Sequence, residues 1–157
     1  METAIYAVAL GANRRGRSGG PEATIAAALA RMPVIAASRI HATPPLGPST
    51  RRFANAAALV RSDAEPRIFL AQLKAIERDL GRRPGRRWGA RVIDVDIVLW
   101  SGERCRSRDL TVPHAAFRQR RFVLAPLAEI AGGWRDPVTG FTVRQLLARV
   151  DRRRPRF

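Results

Sequence analysis

A chain of 157 residues, 46% hydrophobic and 27% charged, suits one soluble domain with a real core. Lys+Arg total 29 against 13 Asp+Glu, a net charge of +16, and Lys74 is the only lysine, so the excess is arginine and favours anionic partners: nucleic acid, anionic lipid or phosphate-bearing small molecules. The single cysteine, Cys105, excludes an internal disulfide, no apolar run reaches membrane-spanning length, and the apolar start "METAIYAVALGAN" lacks a basic n-region, so a cytoplasmic protein is expected.

In chain order, "AIYAVALG" (4–11) reads as a central strand ending in glycine, and "GANRRGRSGG" as a loop. Pro21 opens an alanine-rich helix, "PEATIAAALARM". "PVIAASRIHAT" is a second strand, "PPLGPSTRR" (44–52) a restricted loop, and "FANAAALVRS" a third strand. Pro66 starts the next helix, with Phe69, Leu73, Ile76 and Leu80 at helical spacing and Gly81 as its stop. "RRPGRRWGAR" is a cationic loop. "VIDVDIVLW" alternates, so that Ile93, Val95, Ile97 and Leu99 point one way while Asp94 and Asp96 point the other. "LTVPH" (110–114) follows a polar turn. "RRFVLAPLAEIAG", interrupted by Pro126, and "TVRQLLARV" are helical, and residues 151–157 form a basic, frayed tail. Strand, helix, strand, strand, helix, strand, then helices, is the order of an α+β, ferredoxin-like split β-α-β sandwich, with an antiparallel sheet and helices packed on it. One domain over residues 1–157 is expected.

Asp94 and Asp96 share a strand face roughly 6.6 Å apart. At an effective dielectric near 20 their repulsion is about 2–3 kcal/mol. Arginines could supply the counter-charge, in which case the pair is structural. Divalent metal is the functional alternative, because magnesium in phosphoryl-transfer sites is held by one or two carboxylates, water and phosphate oxygens. The preceding loop favours the second reading. Arg82, Arg83, Arg86 and Arg87 lie on a Gly/Pro segment, Arg91 stands three residues before Asp94, and guanidinium groups grip phosphate bidentately. Trp88 offers a flat face for a planar ring or a closing lid, or else packs in the core. By themselves Phe53 and Phe122 read as core and His114 as solvent-facing, whereas Asn55 inside an apolar strand needs a partner for its amide.

"RWGARVIDVDIV" (Arg87 to Val98) resembles the signature of the 6-hydroxymethyl-7,8-dihydropterin pyrophosphokinases, enzymes of folate synthesis. "LGAN", "TPPLGP", "FANAA", "IERDLGR", "LTVPH" and "RRFVLAPLAEI" agree in order and separation, so the resemblance covers nearly the whole chain. It implies transfer of pyrophosphate from ATP to the hydroxymethyl group of the reduced pterin, releasing AMP. It implies two Mg²⁺ ions on Asp94 and Asp96, with ATP as co-substrate. ATP contacts are implied for Glu77, Arg82, Arg87, Trp88, Arg91, Ile97, Thr111, His114 and Arg120. Among these, Glu77 and the main chain near Ile97 serve the nucleoside, while Arg82 and Arg91 act on the phosphates. The pterin is expected between Phe122 and Trp88, with Asn55, Thr43 and Pro44 reading its edge and Asn13, Leu46 and Phe53 nearby. Asp96 is the candidate acceptor for the hydroxyl proton.

The chain departs from the family pattern at Ala12, Arg14, Phe53, Asp109 and Ala115, which bears on nucleotide affinity. The small-molecule reading implies a monomer without nucleic-acid or membrane partners. A nucleic-acid module is the rival from another class, since split β-α-β domains stack RNA bases on central strands and the net charge suits it. Against it, "FANAAALV" lacks a glycine–aromatic pattern and the face in question carries two aspartates. A catalytically dead family member is a second rival, and the intact Asn55, Trp88, Arg91, Asp94 and Asp96 argue against it.

Overall fold

The computed structural model describes residues 3–43, 52–82 and 92–153. Pro44, Leu46, Arg87, Trp88 and Arg91, together with most of the cationic loop, lie outside the described residues.

The elements run β1 (Ala4–Ala12), α1 (Pro21–Leu29), β2 (Val34–Ala37), β3 (His41–Thr43), β4 (Phe53–Ser62), α2 (Pro66–Asp79), β5 (Asp94–Trp100), β6 (Cys105–Arg106), β7 (Thr111–Val112), a 3₁₀ turn (Phe117–Gln119), α3 (Arg121–Ala131) and α4 (Val143–Arg152). The sheet has the order β2-β4-β1-β5, with β3 also on β4, and each recorded pairing is antiparallel. This is the expected α+β, split β-α-β sheet. β6 and β7 form a separate hairpin.

The expected second strand is in fact two. Between β2 and β3 the backbone leaves the ladder, and Ser38 keeps contact by accepting at Oγ from Ala57 N (2.9 Å) while its own N–H donates to Ala57 O. The helix through Pro126 is also continuous, and α3 runs past it as a single element. Asp151 and Arg152, expected in a frayed tail, instead close α4, and residues 154–157 lie outside the described residues.

Each sheet face buries a different helix pair. Tyr6, Val8 and Leu10 of β1 and Ile93, Val95 and Ile97 pack with Ile25 of α1 and Phe69 and Leu73 of α2. Ala7, Ala57, Val98 and Leu99 pack with Leu124 and Leu127 of α3 and Leu146 of α4. Leu99 therefore does not share the face of Ile97, as strict alternation required. The β1–β5 register shifts between Ala7, opposite Leu99, and Val8, opposite Ile97. One extra residue on β5, a bulge, turns Leu99 toward α3 and Trp100 toward Tyr6, whose ring centroid lies 6.3 Å away. Asp94 and Asp96 lie before the bulge and keep the common face that alternation predicts.

Gly81 ends α2 as expected. Its φ of +105° is open to glycine, and Arg82 N donates to Glu77 O while Gly81 N donates to Arg78 O. This terminus fixes where Arg82 leaves the helix. α4 starts with a capping box, Thr142 and Gln145 exchanging side-chain and backbone hydrogen bonds.

Candidate active site

β5 is an edge strand, and one of its outward N–H groups finds an unusual partner. Val95 N donates to Glu77 Oε1 at 2.7 Å. Glu77 is only 2% exposed; Lys74 Nζ also reaches Oε1 (3.0 Å), and Arg82 Nη1 reaches Oε2 (2.9 Å). A buried carboxylate is tolerated because each oxygen has donors. Glu77 thus pins α2 to the sheet edge and holds Arg82. Arg82 Nη1 also donates to Asp94 Oδ1 at 2.6 Å. Burial opposes the charge on Arg82, but Glu77 and Asp94 outweigh it and raise the guanidinium pKa above its ordinary value.

Asp96 is pulled by different forces. Burial, with the Asp94 charge added to it, pushes its carboxyl up to about 6, while Lys74 pulls in the opposite direction. The strand therefore carries one carboxylate tied to an arginine and one that, among the described residues, has no guanidinium partner. A divalent cation would relieve that imbalance. Among the described residues no group of three His, Cys, Asp or Glu side chains is placed to hold a metal. The donors present fit a cation completed by water and substrate oxygens, which is the habit of magnesium and not of zinc.

Asp96 opens onto a cleft of about 280 Å³ between α2, β5 and the β6–β7 hairpin, also lined by Ile97, Thr111, His114, Lys74 and Asp109. The cleft brings together four residues expected to touch ATP or metal. His114 is seated by its N–H donating to Val98 O (3.0 Å), and its Nδ1 accepts from Ala116 N (3.1 Å). That bond leaves Nε2 as the proton-bearing nitrogen of the neutral ring. Burial and then Arg120 lower the His114 pKa, which favours the neutral form.

A second group lies across the sheet. His41, Asn55, Gly11 and Asp94 are opposite one another on β3, β4, β1 and β5, and so share one face. Gly11 leaves this floor low between Asn55 and Asp94, because a Cβ there would come within 3.1 Å of Asn55 Oδ1. Asn13 closes the same end of β1, half-buried, and Thr43 ends β3, exposed. Phe53 and Phe122, which would ordinarily be core, are 41% and 52% exposed. Phe122 lies in the first turn of α3, with the Arg120 guanidinium 5.7 Å from its ring centroid.

Sequence reasoning passed over two features. Lys74 stood out only as a lone lysine, yet it lines the cleft and bonds Glu77. Glu129 of α3 accepts from Arg39 N (3.0 Å) and pairs with His41 Nε2, tying the helix that carries Phe122 to the strand that carries Thr43. The Glu129 carboxyl stays below its usual range, because the Arg39 amide and His41 outweigh its desolvation. Neither link follows from local spacing, since the partners are about ninety positions apart.

Residues 7–132 match the model of the family described as 7,8-dihydro-6-hydroxymethylpterin-pyrophosphokinase. The chain belongs to that family. A 2-amino-4-hydroxy-6-hydroxymethyldihydropteridine pyrophosphokinase of Methylorubrum extorquens is 41% identical over 119 residues, covering 75% of this chain and 74% of the relative. A pyrophosphokinase of the same name from Pseudomonas aeruginosa is 38% identical over 148 residues, covering 90% and 88%. A Plasmodium falciparum HPPK-DHPS crystal structure superposes with a TM-score of 0.70 at 14% identity, over 94% of this chain and 42% of that one. At that identity the likeness is one of fold, and it carries the whole α+β arrangement of this pyrophosphokinase-family chain.

Proposed function

We propose that the Asp96 cleft and the Asn55 floor are the two halves of one active site. As a family member the protein is an ATP-dependent diphosphotransferase of folate biosynthesis. It transfers pyrophosphate from ATP to the hydroxymethyl group of 6-hydroxymethyl-7,8-dihydropterin and releases AMP. For AMP to leave, the hydroxyl oxygen must attack the β-phosphorus while the bond from that phosphorus to the α-phosphate oxygen breaks, and the hydroxyl proton passes to a carboxylate, Asp96 in this reading.

The nucleotide occupies the cleft lined by Ile97, Thr111 and His114. Neutral His114 donates from Nε2, and Arg82 and Arg120 supply fixed positive charge to phosphate oxygens. Glu77, with both oxygens already bound, acts by holding Arg82 and Val95 in place. The pterin lies over Gly11, with Asn55 presenting both a donor and an acceptor to its amide-like edge and Phe122 offering a ring face. Asn13, Thr43 and Phe53 border that end of the sheet. Pro44, Leu46, Arg87, Trp88 and Arg91 belong to the same proposal on the strength of the family motif alone.

Asp94 and Asp96 would hold magnesium, two ions in this reading. Bound magnesium offsets the charge of the polyphosphate and polarises its phosphoryl oxygens. The rest is alignment: the chain fixes the hydroxyl in line with the β-phosphorus and keeps the site's dipoles preoriented. The observation that carries this reading is the pairing on β5 of an arginine-bound aspartate with a partly buried neighbour that, among the described residues, has no guanidinium partner, at the mouth of a cleft of about 280 Å³. AMP release from MgATP should depend on the reduced hydroxymethylpterin. AMP formation at the same rate without the pterin, or none with it, would overturn the assignment.

A further inference from the structure

A larger cavity, about 460 Å³, lies beside the β6–β7 hairpin, where Thr111 and Ala115 form a wall it shares with the ATP cleft. Three arginines line it: Arg104 and Arg106 from the hairpin and Arg118 from the 3₁₀ turn. Two of them are held in place by a single loop. Arg118 donates from Nε and Nη2 to Asp136 (2.5 and 2.9 Å), and its guanidinium carbon stacks 4.9 Å from the Phe117 ring centroid. Arg104 Nη2 donates to Pro137 O at 2.7 Å. Among the described residues no carboxylate lies within ion-pair distance of Arg104 or Arg106. Asp136, the one acid of this group, is already saturated by Arg118, Val138 N and Thr139 Oγ1.

Among the described residues the cavity therefore has two cationic groups in excess, with donors on Arg104, Arg106 and Arg118 Nη1 left without an acceptor. Cys105, Val112 and Val138 add an apolar side. Its volume falls in the range of small-ligand sites, and guanidinium donors match the oxygens of a phosphate or carboxylate. We propose that this cavity is a second ligand site, separate from the ATP cleft, which binds a small organic oxyanion: the anionic head against the arginines and the apolar body against Val112 and Val138. The single acid beside them is taken up by Arg118, Val138 and Thr139, which leaves the remaining charge open to a ligand.

Calorimetric titration of the full chain with phenyl phosphate, and separately with benzoate, tests the site and identifies its head group. Saturable one-to-one binding of at least one probe is expected, weakened about tenfold or more in Arg106→Glu, because a charge-assisted pair becomes a repulsion. Arg106 is exposed, so that variant should fold, and its MgATP affinity should stay within about twofold of wild type. The probe should also bind wild-type protein saturated with MgATP. The proposal fails if neither probe binds saturably, if Arg106→Glu binds equally well, or if MgATP displaces the probe completely, since the probe would then be occupying the neighbouring cleft.

Discussion

Two aspartate–arginine clusters stand at opposite ends of the β5–β7 region, and they differ in what they leave undone. At Asp136 every acceptor is filled: the residue is fully buried, Arg118 binds it at two points, and Val138 and Thr139 complete it. Burial opposes the charge, but these bonds win and hold the carboxyl at about 2. At β5, Arg82 serves Asp94, while Asp96 has no guanidinium among the described residues, and burial and its neighbour's charge raise it to about 6 against the pull of Lys74. The closed cluster holds a loop against the 3₁₀ turn. The open one leaves Asp96 facing the cleft, which is where the proposed magnesium would be held. An acid that a fold leaves underpaired, on a strand that another acid already shares, points to a ligand more strongly than the acid's identity does.

The sharpest way to break the comparison is to remove one acid from the open cluster. Asp94→Ala or Asp96→Ala should lower pterin-dependent AMP formation by about 10³-fold or more, roughly 4 kcal/mol of transition-state stabilisation. The fold should survive, because relief of repulsion offsets the lost contacts. Turnover near wild type in either variant would make the open cluster structural after all. At the closed cluster the outcome should invert. Asp136→Asn should cost about 3–5 kcal/mol of unfolding free energy by leaving Arg118 unpaired, with turnover per folded molecule unchanged. Denaturant unfolding alongside the AMP assay separates the two.

pH sharpens the same contrast. Asp96 keeps its proton to about pH 6 in the fold but only to about 4 when unfolded. Between those values the folded state binds more protons, so metal-free stability should fall as pH rises from 4 to 6, by about 2–3 kcal/mol. Asp136 works in the opposite sense: its stabilisation is complete above pH 4 and is lost as pH drops toward 2. Thermal unfolding of wild type and Asp96→Asn across pH 4–7 checks this, and an identical slope in both proteins would remove Asp96 as its source. The smallest effect belongs to Phe122. Since it is half exposed, Phe122→Ala should barely change stability but should weaken pterin binding by roughly 1–2 kcal/mol, more than it weakens ATP binding. Equal losses for both ligands in calorimetry would rule out a stacking platform there.

Much of the site could be read along the chain because it depends on local period. Alternation places Asp94 and Asp96 on one face whatever the strand pairs with, and Pro66 and Gly81 bracket α2 through their own backbone preferences. The motif from Arg87 to Val98 identified the family for a similar reason: its spacing is a short-range property. The bulge that reverses Leu99 was not readable, since both sides of it look like an unbroken alternating strand. Phe53 and Phe122 look like core side chains in sequence, and only the position of their ends of β4 and α3 leaves them exposed.

What tertiary structure alone decided is everything that joins distant segments. Which residues lie opposite Gly11 depends on the register of β1 with both β4 and β5, and so does the row from His41 through Asn55 to Asp94. Glu77 stands on a helix like any charged residue until α2 docks against an edge strand whose Val95 N–H needs an acceptor. Lys74 becomes part of a cleft, and Arg118 a partner of Asp136, in the same way. Alternation and capping are set by a residue and its near neighbours. Burial and charge pairing are set by which surfaces meet, and that depends on the packing of the whole chain.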